Sequence, residues 1–346
     1  MKNLNSPNIL LIYTGGTIGM IKDAQSGALK PFDFSKIRER ISELEQLDCN
    51  INTISFDTPI DSSDMDIESW VRIVEIIEDN YQQYDGFVVL HGSDTMSYSA
   101  SALSFMIENL DKPVIFTGSQ LPIGDLRTDA KENLITAIQI ACLQENGRPV
   151  VQEVCLYFEY KLYRANRTTK VNAEHFEAFE SPNYPPLVES GVNLKVQHNV
   201  LLSPISGKVN FHKLMDSNIA VLKLFPNIQK KIVQAVLEVE GLKAIIIETY
   251  GSGNTTTQEW FVSLLEDAIN RGIYIINVTQ CLGGSVLQGK YQNSSMLKRI
   301  GVLSGSDVTT ESALTKLMYL LSKPLTKSQF RDSFEKPLRG ELTPSE

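Results

Sequence analysis

From residue 9 onward the chain alternates short β-branched and aromatic runs with stretches of helical periodicity, and few folds are compatible with that alternation. Residues 9–13, 51–56, 87–91, 113–117 and 154–158 read as strands, and residues 35–47, 67–80, 98–109 and 130–143 as the helices between them. Strands joined by crossover helices pair in parallel and are covered on both faces. The expected class is therefore α/β, with a larger N-terminal parallel-sheet domain of Rossmann-like or flavodoxin-like type.

Between about residues 181 and 216 the alternation lapses into sequence rich in Pro, Asn and Ser, and a second, smaller series follows. Strands are expected at 219–222, 244–247 and 273–278, and helices at 228–239, 258–270 and 311–321. The expected organisation is an N-terminal α/β domain over 1–190, a linker over 191–215, and a C-terminal α/β domain over 216–346. A chain of 346 residues is long enough for two such cores.

Composition narrows the partners. Charged residues make up 21% and hydrophobic ones 42%, ordinary globular values that argue against a disordered or membrane-spanning chain. The net charge of −9, with dispersed Lys and Arg, gives no footprint for nucleic acid or an anionic membrane and favours a small-molecule partner. Cys49, Cys142, Cys155 and Cys281 are isolated, with no ligand spacing for zinc, and read as reduced thiols. With no apolar leader pattern at the start, the expected location is cytoplasmic.

In open α/β sheets ligands gather at the carboxyl ends of strands. Four hydroxyl-rich segments follow successive strands here: Thr14-Gly15-Gly16-Thr17, Asp61-Ser62-Ser63-Asp64, Gly92-Ser93-Asp94-Thr95 and Thr117-Gly118-Ser119-Gln120. A glycine pair lets the backbone turn sharply and leaves Thr17 exposed to a ligand, as a nucleophile or simply as a cap. The spacing is not that of a dinucleotide-binding glycine motif. A neutral threonine needs a base, and no histidine lies in a triad context; His91, at the end of a strand, reads as a structural histidine. Asp61, Asp64 and Asp66 lack the glycine and closing glutamate of a calcium loop, so no metal is expected, and no cofactor. Trp70 and Ile73 read as core-facing.

The segments YTGGTIGM, DSSDM, YDGFVVLHGSDTMSYSASALSFMIENL, TGSQLP, LYRANRTTK, SPNYPPL, NVTQC and LRGELTP, in this order, resemble type I bacterial L-asparaginase over nearly the whole chain. The resemblance implies that Thr17 attacks the side-chain amide of L-asparagine and forms an acyl-enzyme that water hydrolyses to aspartate and ammonia. It implies a second catalytic cluster of Ser93, Asp94 and Lys170, with Asp94 on the substrate ammonium. Asp61, Ser62 and Ser63 would line the α-carboxylate subsite, and amides near Ser93 would supply oxyanion donors. A lysine beside Asp94 starts as an ammonium; it acts as a base if burial strips its proton, or as a cation that tunes Ser93. The sequence leaves both open. The resemblance also implies a homodimer or homotetramer.

Three departures from the family pattern carry expectations. Ser93 stands where threonine is usual, so Ser93→Thr should preserve or raise the rate. The loop Ser26-Gly27-Ala28-Leu29 lacks the tyrosine many relatives carry, leaving the partner that activates Thr17 open, although closure of this loop to exclude water is expected. Cooperative relatives bind a second asparagine through positions matching Thr169, Glu248, Thr279, Gln280 and Cys281; Glu248 replaces an arginine, so allosteric activation of that kind is not expected. Alternatives are an asparaginase and glutaminase of broad specificity, since one methylene discriminates weakly, or a non-catalytic amino-acid sensor. The related amidotransferase subunit is disfavoured by the acidic charge and by the lack of an additional N-terminal segment.

Overall fold

The computed structural model describes residues 6–22, 29–31, 41–203, 207–288 and 292–344. Two compact units divide the chain at Lys213 and Leu214.

The first unit is built on an eight-stranded sheet of β1 (Asn8–Gly15), β2 (Asn50–Ile60), β3 (Gly86–Leu90), β4 (Val114–Thr117), β5 (Val154–Phe158), β6 (Lys161–Arg164), β7 (Val188–Ser190) and β8 (Leu194–Val196). Their order is β8-β7-β6-β5-β4-β3-β1-β2. The five strands β2-β1-β3-β4-β5 are parallel, in the flavodoxin-like order. The central strands β1 and β3 are almost wholly buried, as a sheet covered on both faces requires. Helices α1 (Ile67–Asn80), α2 (Met96–Met106) and α3 (Ala130–Ala141) connect them. α1 begins at Asp66, whose carboxylate accepts from Ser69 N at 2.8 Å, and it buries Trp70, Ile73, Val74 and Ile77.

The expected all-parallel sheet is extended by three antiparallel strands. The cause is a two-residue hairpin: Glu159 (φ 40°) and Tyr160 (φ 70°) both take left-handed backbone, which turns β5 straight back into β6. Residues 191–215, read from sequence as a linker, contain β8, which pairs with β7 through Val188 and Val196. The helix expected at 35–47 lies partly outside the described residues; its described end is a short 3-10 helix, Ser42–Gln46.

The second unit carries a four-stranded parallel sheet in sequential order: β9 (Ile219–Lys223), β10 (Ala244–Thr249), β11 (Tyr274–Thr279) and β12 (Leu303–Ser304). With it lie α4 (Lys230–Leu237), α5 (Glu259–Asn270), α6 (Gln292–Ile300), α7 (Thr310–Leu321) and α8 (Lys327–Glu335). Its own core gathers Val233, Ile245, Ile247, Phe261, Leu265 and Ile275, all fully buried. Sequence periodicity finds β9 to β11, α4, α5 and α7; it misses α6, α8 and the two-residue β12.

Candidate active site

A doubly wound sheet opens a crevice where the strand order reverses, and here the reversal falls between β1 and β3. The loop after β1 carries Thr17 and the loop after β3 carries Ser93 and Asp94.

Close backbone contact brings these loops together. A Cβ built on Gly16 would lie 2.5 Å from both N and Cα of Gly92, and one on Gly92 would lie 2.5 Å from the Ser62 hydroxyl oxygen. Only glycine permits either approach, and Gly16 also holds φ 85° and ψ 173°, a region other residues essentially do not enter. Thr17 follows at once, half-buried, as the first residue of the short 3-10 helix Thr17–Gly19. Thr95 Oγ1 donates to the main-chain carbonyl of Ser62 at 2.6 Å, tying the third loop to the second.

The hydroxyls of these loops divide into two groups. Thr14 donates to Leu90 O (3.0 Å), Thr117 to Tyr157 O (2.9 Å) and Ser119 to Leu121 O (2.7 Å), so these three stitch strand ends and turns together. Among the described residues, the hydroxyls of Thr17, Ser62, Ser63 and Ser93 donate to no main-chain carbonyl. Asp61 caps the short 3-10 helix Ser62–Asp64, accepting from Ser63 N at 2.9 Å and Ser63 Oγ at 2.7 Å. These two donors hold its carboxyl below the usual range. The acidic run that invited a calcium reading thus includes two helix caps, Asp61 and Asp66.

Lys170 arrives from far along the chain. Its Nζ donates to Ser93 Oγ at 2.8 Å and to Asp94 Oδ1 at 2.7 Å. The lysine side chain is 17% exposed and the Asp94 side chain 67%, so the carboxylate reaches outward while the ammonium is covered. Short pairing of Thr169–Lys170 with Phe179–Glu180 fixes the lysine backbone. In the same segment, Arg164 Nε meets Glu153 Oε2 at 2.6 Å with both side chains buried, and Arg164 Nη2 donates to Val200 O at 2.9 Å. Arg164 and Arg167 both lie over the ring of Tyr184, whose hydroxyl also donates to Val200 O at 2.8 Å. The segments LYRANRTTK, which ends at Lys170, and SPNYPPL are therefore packed against each other through Tyr184.

Gln120 and Asp129 belong to this constellation, although chemistry alone did not single them out in the sequence. Ser93 Oγ donates to Gln120 Oε1 at 3.1 Å, while Gln120 Nε2 donates to Ala173 O (3.2 Å) and His175 O (3.0 Å). Asp129 accepts from the amides of Gln120 (2.8 Å) and Leu121 (3.1 Å). Burial pushes the Asp129 carboxyl up despite those donors.

His91 is fully buried, and desolvation lowers its pKa to about 4. Its Nδ1 lies 2.6 Å from Gly92 O, and Nε2 has no hydrogen-bond partner among the described residues. It is thus a neutral histidine beneath the loop. The loop 26–29, expected to close over the site, lies outside the described residues except for Leu29.

Of the expected effector positions, Glu248, Thr279, Gln280 and Cys281 cluster in the second unit. Gln280 Nε2 donates to Glu248 O at 2.8 Å, and Cys281 N donates to Thr279 Oγ1 at 3.1 Å. Thr169 belongs to the first unit.

Comparison with known proteins agrees with this architecture. Residues 8–202 match the family described as Asparaginase, N-terminal, and residues 218–334 the Glutaminase/Asparaginase C-terminal domain. L-asparaginase 1 of Escherichia coli strain K12 is 41% identical over 344 residues, covering 99% of this chain and 100% of that protein. The crystal structure of L-asparaginase I from Vibrio cholerae superposes with a TM-score of 0.88 at 39% identity, covering 98% of this chain and 99% of that one. The thermostable L-asparaginase from Thermococcus kodakarensis superposes with a TM-score of 0.89 at 30% identity, over 98% and 100% of the two chains.

Proposed function

This chain belongs to the L-asparaginase family, in its type I branch, and on that premise we propose that it hydrolyses L-asparagine to L-aspartate and ammonia through an acyl-enzyme on Thr17. The observation that carries the reading is the Lys170 ammonium held between Ser93 and Asp94, on the loop whose Gly92 abuts Gly16 beside the nucleophile.

In this reading Thr17 Oγ1 attacks the amide carbon, and the negative charge that develops on the amide oxygen is met by main-chain amides near Ser93. α2 begins at Met96, directly after this loop, and the positive end of a helix dipole favours negative charge there. The proton lost by the Thr17 hydroxyl ends on the amide nitrogen, which leaves as ammonia, and water then cleaves the ester, giving its hydroxyl to the acyl carbon and a proton back to Thr17 Oγ1. Lys170, paired with the Asp94 carboxylate at 2.7 Å, is read here as the cation of the cluster, and through Ser93 it steadies the charge changes of both steps. Asp94 is the anion available to the substrate ammonium. Ser62 and Ser63, with the latter oriented by Asp61, line the subsite for the α-carboxylate.

The amino-acid head group is thereby fixed at both its charged groups, the ammonium by Asp94 and the carboxylate by serine hydroxyls, and the side-chain length is read only by the distance to Thr17. Some turnover of glutamine is expected on that basis, since a methylene is worth about 1–3 kcal/mol in a pocket. Ammonia release from L-asparagine and L-glutamine by the native enzyme and by Thr17→Ala, both checked for folding by circular dichroism, tests the proposal. Turnover of asparagine lost in Thr17→Ala supports it. A folded native protein inactive on both substrates leaves an amino-acid sensor as the reading, and an active Thr17→Ala removes the acyl-enzyme.

A further inference from the structure

Ser93 has one proton to give, and the structure commits it. Lys170 Nζ can only donate, so in their 2.8 Å contact Ser93 Oγ is the acceptor. The serine proton then goes to Gln120 Oε1, 3.1 Å away. That amide cannot be reversed without loss, because its Nε2 faces the carbonyls of Ala173 and His175, and an oxygen there would have no donor. The main chain of Gln120 is fixed in turn by Asp129. One lone pair of Ser93 Oγ is left over after Lys170 has taken the other.

We propose that Gln120 is a positioning residue, whose side-chain carbonyl fixes the rotamer and proton direction of Ser93 so that the remaining lone pair is presented to the reacting groups. The inference rests on the asparaginase reading above. It accounts for the serine itself. A threonine is held about χ1 by its methyl group, whereas serine turns freely unless something grips its hydroxyl. Two partners separated from Ser93 by 27 and 77 residues grip it here.

The prediction is a coupling between Gln120 and the identity of residue 93. Gln120→Met keeps the length of the side chain and removes its carbonyl. In the native Ser93 background it should lower kcat for asparagine by about tenfold or more with little change in KM; in a Ser93→Thr background the same change should cost no more than about threefold. Any loss caused merely by freeing the Ala173 and His175 carbonyls is the same in both backgrounds and cancels in the cycle.

Gln120→Glu supplies a second, independent readout. Its protonated acid reproduces the native pattern, donating to one of the two carbonyls and accepting from Ser93, whereas the ionised form places charge against both carbonyls. It should therefore be active at low pH and lose kcat as pH rises, a limb absent from the native enzyme and from Gln120→Met. Equal losses in the two backgrounds, a change confined to KM, or a Gln120→Glu profile matching Gln120→Met would each overturn the proposal. Native turnover of asparagine is measured in the same assay: its absence removes the asparaginase reading and this inference together, whereas native turnover with an additive cycle removes only the role of Gln120.

Discussion

Gly16 and Gly92 meet through their backbones, and no side chain larger than hydrogen fits at either: a Cβ on the first would sit 2.5 Å from the nitrogen of the second, and a Cβ on the second 2.5 Å from the hydroxyl oxygen of Ser62. Three loops, each at the end of a different strand, are thereby packed against one another with Thr17 at their junction. The glycines matter because they set the distance between the nucleophile loop and the loop of the second cluster, a distance no other residue type allows.

Gly16→Ala should for that reason be more damaging than an ordinary surface substitution. The conformation at Gly16 alone costs an alanine about 1–3 kcal/mol, and the clash with main-chain atoms of Gly92 adds to it. A chemical denaturation midpoint lowered accordingly, with asparagine turnover reduced by at least about a hundredfold, is expected, since displacement of a catalytic group by about 1 Å costs that much. Unchanged turnover in a folded Gly16→Ala protein would show that the two loops do not need this contact.

Much of this architecture was legible from residue patterns, because the information was local. Strands such as Val154–Phe158 and helices such as Ile67–Asn80 announce themselves by periodicity, whereas the cap at Asp66 emerged only with the fold. The hairpin at Glu159 and Tyr160 was not legible, since neither residue is a customary left-handed turn former and the strain is borne by tertiary contacts. The four loops could be located after their strands, but the division of their hydroxyls could not: Thr14 and Thr117 look as reactive in sequence as Thr17 and Ser93, and only the fold shows them bonded to Leu90 and Tyr157. Lys170 entered through resemblance, being 77 residues from Ser93. Gln120 was visible in TGSQLP, yet nothing local tells an orienting glutamine from a loop residue.

Glu248 bears on regulation. Its carboxylate is already engaged inside its own unit, accepting from Thr310 Oγ1 at 2.7 Å and lying 3.4 Å from Lys223 Nζ. An effector carboxylate would meet like charge rather than a guanidinium fork. Initial velocity against asparagine concentration should be hyperbolic with a Hill coefficient of about 1, and Cys281→Ser and Thr169→Ala should leave the curve shape unaltered. A sigmoidal curve flattened by either substitution would contradict this account of Glu248.

Glu159 gives the first unit a dependence on pH near neutrality. Burial, followed by the charges of Asp129, Glu132 and Glu177, raises its pKa from 4.5 to about 7. The folded chain holds this proton more tightly than the unfolded one, so the associated stability is fully present below about 4.5 and is lost as pH rises through about 7. Glu159→Gln, which cannot ionise, should raise Tm by about 2 °C at pH 8 and leave it little changed at pH 5. An equal effect at both pH values would assign the change to the strained turn rather than to the charge.

The segment LRGELTP is held in the second unit by a buried ion pair and by Thr343, whose amide and hydroxyl donate to the Asp307 carboxylate at 2.7 and 2.6 Å. Lys316, on α7 and wholly inaccessible, lies 2.5 Å from Glu341 Oε1 and also donates to Phe334 O (2.7 Å) and Lys336 O (2.6 Å). Glu341 in turn accepts from the amides of Leu338 at 2.9 Å and Arg339 at 2.7 Å, so the pair draws the C-terminal segment onto α7. Burial pulls the lysine below its usual range, and the facing carboxylate works against that pull. A buried pair contributes little net stability beyond an apolar one of equal volume, but breaking it leaves a charge stranded, at a cost of about 3–5 kcal/mol. Lys316→Met and Glu341→Gln should each destabilise the second unit by about that amount. Lys316→Met combined with Glu341→Gln should cost clearly less than the sum, because no unpaired charge remains. Urea unfolding of the full chain measures all three proteins, and limited proteolysis beyond Lys336 reports release of the segment. Single substitutions near neutrality, or a double variant equal to the sum, would mean that the Thr343–Asp307 hydrogen bonds and the burial of Leu342, rather than the ion pair, hold this segment.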